Sequence, residues 1–355
     1  MGILYFTKGE FAMIDTIKIY AEIDVNTYNK IKSMSIVKSS IDNMTQEKQY
    51  EIINDHLQGT FDSRLSVKVD CGAKYQFCNL GYCIEIEGSY HKIIRGFNSH
   101  NGFYDLESIA KSLIQFVELS YNIELPNYEN WFLQRCDIAI CYDLKSQENV
   151  INYINSLSRC NYPRRKIKFF NDESLYLSGS TTTLKIYNKL LEFKKHDIKK
   201  FNNTNFNLLE YLEKIKGFVR FECEIKKKTL LKITNSTKHI NIMNVNYEIL
   251  KSVWSDEFMK LLQFIKNDLD VVRKREDVLK RLNDVYKPAK AHLLFNFYCA
   301  IQLNGVTDIK KEYSSTTYYR YIKELKQAKI DFSQSYKIEE CDIYYFNPFE
   351  AEEVA

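Results

Sequence analysis

The chain has few of the residues that mark special chemistry or special compartments. It carries 4 prolines and 11 glycines in 355 residues, so neither a proline-rich nor a glycine-rich linker composition applies. Its 9 cysteines form no Cys-x-x-Cys pair. The spacings Cys71…Cys78…Cys83 and Cys136…Cys141 match no zinc template. Cys83, Cys136 and Cys223 stand in apolar strand-like runs, where a reduced thiol acts as a small hydrophobe. The 6 histidines include no His-hydrophobe-His pair, so a metal site here would have to be mainly carboxylate. His91 and His100 read as isolated surface or loop residues. No apolar run approaches the roughly 18 residues that span a bilayer, and the start lacks the basic region of a signal peptide. A reducing, cytoplasmic setting and no membrane partner follow as expectations. Net charge is +4, which excludes a uniformly basic nucleic-acid coat. Local basic clusters such as Arg164-Arg165-Lys166 remain available for an anionic partner.

What is present is an ordinary globular composition, 45% hydrophobic and 27% charged, long enough for two or three domains. Met13 opens a fresh strand-like segment, so residues 1–12 read as an N-terminal extension. The pattern up to about residue 230 is strands interrupted by two clear helices, an α+β layout. Residues 231–355 are mainly helical. Alternation predicts strands at Ile14–Asp24, Ser63–Val69, Tyr82–Glu87, Trp131–Tyr142, Lys166–Phe170, Ser174–Leu177, Leu184–Leu190 and Phe218–Lys226. Asp105 is a plausible N-cap for a helix to Leu119, and Gln147–Leu157 reads as a second. Residues 45–56 read as a short helix, residues 193–210 as a loop or helix tip, and no internal repeat is legible.

Four strands carry charge on one face. Glu85 and Glu87 share a face, as do Arg135 and Asp137. Arg220, Glu222 and Glu224 alternate strictly with apolar neighbours. In Thr183–Lys189, alternation puts Lys185, Tyr187 and Lys189 together. Two ammonium groups beside a phenol would favour phenolate and attract a phosphate. Taken alone, the segment also reads as an edge strand with a solvated lysine face and a packed tyrosine; with its charged neighbours, Tyr187 is the expected nucleophile, since free tyrosine titrates near pH 10 and needs such help. Lys189 is expected to stabilise the phenolate and protonate the leaving oxygen. Arg220 and Lys185 are expected to hold phosphate oxygens, with Arg135 beside them. Glu85, Asp137 and Glu222 would supply oxygen ligands for Mg²⁺ or Mn²⁺, with Glu87 and Glu224 in reserve.

These blocks, in this order from Met13 to about Phe332, resemble the rolling-circle replication initiators of filamentous phages (the gene II and gene X protein family) and related trans-acting plasmid initiators. The carriers are Tyr82-Cys83-Ile84-Glu85-Ile86, Lys92–Asn98, Arg135-Cys136-Asp137, the Tyr187 strand with Lys189 and Glu192, and Val219-Arg220-Phe221-Glu222. Phe97 stands where the phage protein has histidine. The resemblance implies an antiparallel-sheet nickase domain over 13–230, related to the His-hydrophobe-His endonucleases with degenerate histidines. It implies site-specific nicking and strand joining at a double-strand origin through a 5′-phosphotyrosine. Double- and single-stranded origin DNA, a host helicase and polymerase are the implied partners, with a homodimer among the open assemblies. Tyr176 is a weaker candidate for a second nucleophile. A non-catalytic DNA-binding regulator, or a relaxase or transposase with the same chemistry, are the alternatives.

In the helical region, residues 289–304, Val306–Tyr313 and Thr316–Lys329 outline a helix-turn-helix-like end, with Ser314-Ser315 as N-cap. Thr316, Thr317, Arg320 and Lys323 fall on the polar side of the last helix and would face DNA, with Glu324 counting mildly against it.

Overall fold

In the computed structural model, the described residues are 12–46, 48–60, 63–70, 81–158, 162–170, 173–201, 206–269, 272 and 275–332. The expected extension 1–12 lies, except for Ala12, outside them. The chain divides into two compact units, Met1–Lys260 with Tyr344–Ala355, and Leu261–Ile343.

The first unit is built on one ten-stranded sheet in which every pair is antiparallel. Its strands are β1 (Met13–Ile23), β2 (Val37–Ile41), β3 (Lys48–Gln58), β4 (Arg64–Asp70), β5 (Tyr82–Gly88), β6 (Phe132–Asp143), β7 (Lys166–Phe170), β8 (Ser174–Ser178), β9 (Thr182–Asn188) and β10 (Phe218–Lys226). They lie in the order β2-β3-β4-β5-β1-β6-β10-β9-β8-β7. That order is one pattern used twice. β1 leads into helix α1 (Val25–Met34), and a meander β2–β5 returns from the edge to pair with β1. β6 leads into a helix over Gln147–Ser158, and a meander β7–β10 returns to pair with β6. The two halves meet where β1 pairs with β6. The repeat is one of topology.

Period-2 alternation gives the sheet an apolar and a charged face. Ile17, Ile19, Ile84, Ile86, Cys136, Ile138, Leu184, Ile186, Phe221 and Cys223 fill the apolar face and are buried. Two helices follow in the chain, the short α2 (Tyr90–Arg95) and the longer α3 (Leu106–Tyr121), the second capped by the Asp105 carboxylate on Ser108 N. The helix after β6 is α4 (Gln147–Ser158), whose Tyr153 packs on Phe221. After β9 come α5 (Lys189–His196) and α6 (Leu208–Lys214), and after β10 come α7 (Lys227–Ile233) and α8 (Tyr247–Leu269). Trp254 and Phe258 of α8 pack tilted against each other, and Phe258 packs edge-on against Phe221. The sequence places a boundary near residue 230, whereas the compact units divide at Lys260–Leu261, because this apolar packing holds the first half of α8 to the sheet unit.

Several expectations are corrected. Residues 45–56 form no helix; Lys48–Gln58 is strand β3, held in register by β2 and β4. Pairing on both edges outweighs the helix preference of its Glu, Lys and Gln residues. Residues 193–210 contain the end of α5, a 3-10 turn at Ile198–Phe201 and the start of α6. The strand carrying Tyr187 stops at Asn188, whose side chain accepts from Leu191 N and starts α5. Lys189 is thus the first helical residue and not a member of the strand face. His91 and His100 are buried, 0% and 7% exposed.

The second unit holds α9 (Arg275–Val285), α10 (Pro288–Asn304), α11 (Val306–Glu312) and α12 (Ser315–Gln327) around Leu282, Leu294, Phe297, Ile309, Tyr318 and Leu325. Pro288 opens α10 at a position where no amide hydrogen is needed. Gly305 ends it at φ 82°, and the Ser314 hydroxyl caps α12. Thr316, Arg320 and Lys323 are exposed on α12 and Thr317 is half-buried. Glu324 turns away from that face and pairs with Lys290 at 2.7 Å. No helix among the described residues is long and apolar enough to cross a membrane.

Candidate functional site

The charged face of the sheet carries a chain of ion pairs that ends at Tyr187. Lys18 of β1 bridges Glu85 at 2.8 Å and Glu87 at 3.0 Å, both on β5. Arg135 of β6 spans Glu87 at 3.0 Å and Asp137 at 2.5 Å. Lys185 of β9 lies 2.6 Å from Glu222 and 3.5 Å from Asp137. Glu222 is the common member, because its second oxygen, Oε2, is 3.1 Å from the Tyr187 hydroxyl.

Tyr187 sits at the wall of a cleft of about 550 Å³ whose lining also includes Asp15, Lys92, Asn98, Tyr176, Glu192 and Glu222. The loop after α2 closes one side. Gly96 caps α2 in the left-handed region at φ 79°, which turns the chain so that Phe97 and Asn98 part company. Phe97 enters an aromatic cluster with Phe193, Phe201, Phe206 and Tyr211. Asn98 reaches the other way. Its amide nitrogen is 3.3 Å from the Tyr187 hydroxyl and 3.4 Å from Glu192.

Arg220 is fully buried beneath the tyrosine. It donates to Ser99 O at 2.9 Å, lies 2.9 Å from Asp15 and 5.8 Å from the Tyr187 ring centre. Asp15 reaches this face because the β1–β6 register shifts between Ile14 and Thr16; a bulge there breaks the alternation that would turn Asp15 toward the apolar side. Burial opposes the Asp15 charge, but Arg220 together with Lys92 and His91 holds its carboxyl well below the usual range. Lys189 is also buried, paired with Glu192 at 2.7 Å.

Burial pushes the Tyr187 phenol well above its ordinary value of 10.0, and Glu222, Glu192 and Asp15 add to that against Arg220. This reverses the expectation that flanking lysines would favour phenolate: Lys185 spends its charge on carboxylates and Lys189 is turned into α5. Burial likewise raises Asp137 to about 7, with Glu222 acting in the same sense against Arg135 and Lys185.

The expected site residues therefore separate into groups. Tyr187, Glu222, Lys185, Asp137 and Arg135 are brought together. Arg220 lies under the ring with its guanidinium engaged, and Lys189 lies behind Glu192. Glu85 pairs with Lys18, on a strand separated from β10 by β1 and β6. Glu85, Asp137 and Glu222 do not converge, and among the described residues no group of three or more His, Cys, Asp or Glu side chains is arranged to hold a metal ion. Tyr176 of β8 lies opposite Lys185 and lines the same cleft, half-buried. Sequence reasoning gave no role to Asp15, Asn98 or Asp197.

The family model described as replication-associated protein G2P N-terminal matches residues 13–248. The chain belongs to this family. The match takes in all ten strands and ends before Leu261, where the second unit begins. No curated protein matches the chain. On the sheet, the Tyr187–Glu222–Asn98 cluster is where a phenol hydroxyl, a carboxylate and the cleft meet.

Proposed function

We propose that this G2P-family protein nicks and rejoins one strand of DNA at a double-strand origin by tyrosine transesterification. The carrying observation is the Tyr187 hydroxyl held between Glu222 and Asn98 at the wall of the cleft. A phenol whose pKa is raised by burial is not a standing phenolate, so its proton must leave as the attack occurs. Glu222, at 3.1 Å, is the acceptor. Asn98 orients the hydroxyl, and Arg220 below the ring stabilises negative charge on the oxygen. Attack would form a Tyr187–O–P bond and break the P–O3′ bond, leaving a 5′-phosphotyrosine and a 3′ oxygen that takes a proton from solvent to become a 3′-OH. One ester replaces another, so the 3′ oxygen can reverse the reaction and reseal the strand. The free 3′-OH would prime a host polymerase, and a helicase would displace the strand.

Mg²⁺ or Mn²⁺ held by Glu85, Asp137 and Glu222 does not fit these side chains as they stand. The ammonium of Lys185 lies between Asp137 and Glu222, and Glu85 is engaged by Lys18. No step above passes through a metal.

Buried tyrosines bonded to carboxylates occur elsewhere in the chain, as Tyr121 to Asp55 at 2.8 Å, but Tyr187 also lines the cleft, which favours the nickase over a DNA-binding regulator without chemistry. A relaxase or transposase would share the reaction and differ in its DNA. The test is incubation with supercoiled plasmid bearing the cognate origin, with Mg²⁺ or Mn²⁺ added, then denaturing electrophoresis. The expected result is a protein-linked strand that Tyr187→Phe abolishes while binding persists. A linked strand in Tyr187→Phe would remove Tyr187 from the reaction.

A further inference from the structure

The cleft is lined by six carboxylates, and each already faces a cation, Arg135 and Lys185 being shared with further acids. Asp15 is matched with Arg220 at 2.9 Å, Asp137 with Arg135 at 2.5 Å and Glu222 with Lys185 at 2.6 Å. Glu192 is matched with Lys189 at 2.7 Å, Asp197 with Lys200 at 2.7 Å and Glu173 with Lys195 at 2.8 Å. One lysine of the lining is left over. Lys92, on α2, is half-exposed into the same cleft and makes no hydrogen bond, close ion pair or ring contact among the described residues; its charge reaches Asp15, which is already paired with Arg220.

Its backbone is nevertheless held firmly. On one side of it in sequence, buried His91 bonds Ile14 O at 2.9 Å; on the other, Ile93 is 4% exposed. The helix carrying it then turns at Gly96 to deliver Asn98 to the tyrosine. An ammonium on a fixed base in the cleft that Tyr187 lines, with its nearest acid, Asp15, already paired with Arg220, is placed to take a further anion.

We propose that Lys92 is the substrate anchor of the cleft, binding a backbone phosphate of the DNA strand that Tyr187 attacks. This deepens the nickase reading and rests on it for the role, though not for the binding. The contact is to a phosphate oxygen, so it is independent of sequence and supplies ground-state binding. Lys185 and Arg220 are engaged by carboxylates and do not compete for it. Lys92 bears on how tightly the strand is held, not on the bond rearrangement.

The test separates the two readings. Binding of a single-stranded oligonucleotide spanning the origin is titrated with salt, using the full chain carrying Tyr187→Phe. Adding Lys92→Ala or Lys92→Gln is expected to weaken binding about fivefold to tenfold and to flatten the log–log salt slope by about 0.7, one phosphate's worth on a single strand. Lys92→Arg is expected to keep the slope, and Lys30→Ala, an exposed lysine on α1, to leave it unchanged. With Tyr187 intact, Lys92→Ala is expected to raise the DNA concentration for half-maximal linkage and leave the saturated rate within about threefold. An unchanged slope in both Lys92→Ala and Lys92→Gln overturns the proposal even if linkage proceeds normally. A flattened slope in a protein that links to no DNA keeps the phosphate site and ends the nickase reading instead.

Discussion

Asn98 holds its side-chain amide 3.3 Å from the Tyr187 hydroxyl, bringing together two residues 89 positions apart. The contact joins a loop to a strand, and it fixes the phenol that Glu222 approaches from within the sheet. Asn98→Ala is expected to slow linkage to DNA about tenfold, the effect of one hydrogen bond of roughly 1.4 kcal/mol. DNA binding should change little. A linkage rate equal to that of the unmodified protein, measured by quenched time points on a denaturing gel, would show that the amide does not orient the nucleophile.

Glu222 and Glu85 occupy matching strand faces but different surroundings. Glu222→Gln removes the proton acceptor and should lower linkage about a hundredfold or more. Glu85→Gln breaks the contact to Lys18 and should cost no more than about threefold. Repeating both with a chelator and then with added Mn²⁺ or Mg²⁺ tests the metal directly. Equal losses in the two variants that Mn²⁺ restores would mean that Glu85 joins a metal site after all.

His91 and His100 give the fold a pH dependence of known sign. Burial, mainly, lowers each from 6.5 to about 4. Between those values the unfolded chain binds more protons than the folded one. Their contribution is therefore complete above about pH 6.5 and lost as the pH falls through about 4, on the order of 3 kcal/mol each. Both ring nitrogens of His100 lack a partner, and its ring packs against Tyr211 and Phe218. His100→Phe should stabilise the protein and reduce the loss between pH 7 and pH 5, read from urea melts at the two pH values. Parallel melts for His100→Phe and the unmodified protein would refute it.

On α12, the inward turn of Glu324 leaves Thr316, Arg320 and Lys323 exposed together. If this face binds duplex DNA, Arg320→Ala and Lys323→Ala should each reduce the salt slope of duplex binding by about 0.9. Glu324→Ala, which unpairs Lys290, should alter melting and not that slope. A duplex slope indifferent to both cations would assign α12 to packing.

The sequence made strands legible where one face is apolar and the other charged. The strict alternation of Phe218–Lys226 is β10 residue for residue, and Asp105 caps α3 as its position suggests. Tyr187, Glu222 and Lys185 were legible for the same reason, since alternation fixes their face and sheet order then makes them neighbours. Asp15 was not, because a bulge reverses its side and no periodicity encodes a bulge. Asn98 was not, because a loop has no period and its target is set by the left-handed turn at Gly96. β3 was misread because its residues favour helix locally while its two neighbours in the sheet decide otherwise.

The twice-used strand pattern has a consequence for which contacts are scaffold and which are machinery. Opposite one another on β4 and β5 stand Lys68 and Glu85; opposite one another on β9 and β10 stand Lys185 and Glu222. Two residues further along β4 and β9, the same overlay sets Asp70 against Tyr187. A lysine–glutamate rung thus recurs in both halves, whereas the aromatic hydroxyl belongs to one. The rung is therefore scaffold common to the two halves, and the hydroxyl at position 187 is what sets one half apart.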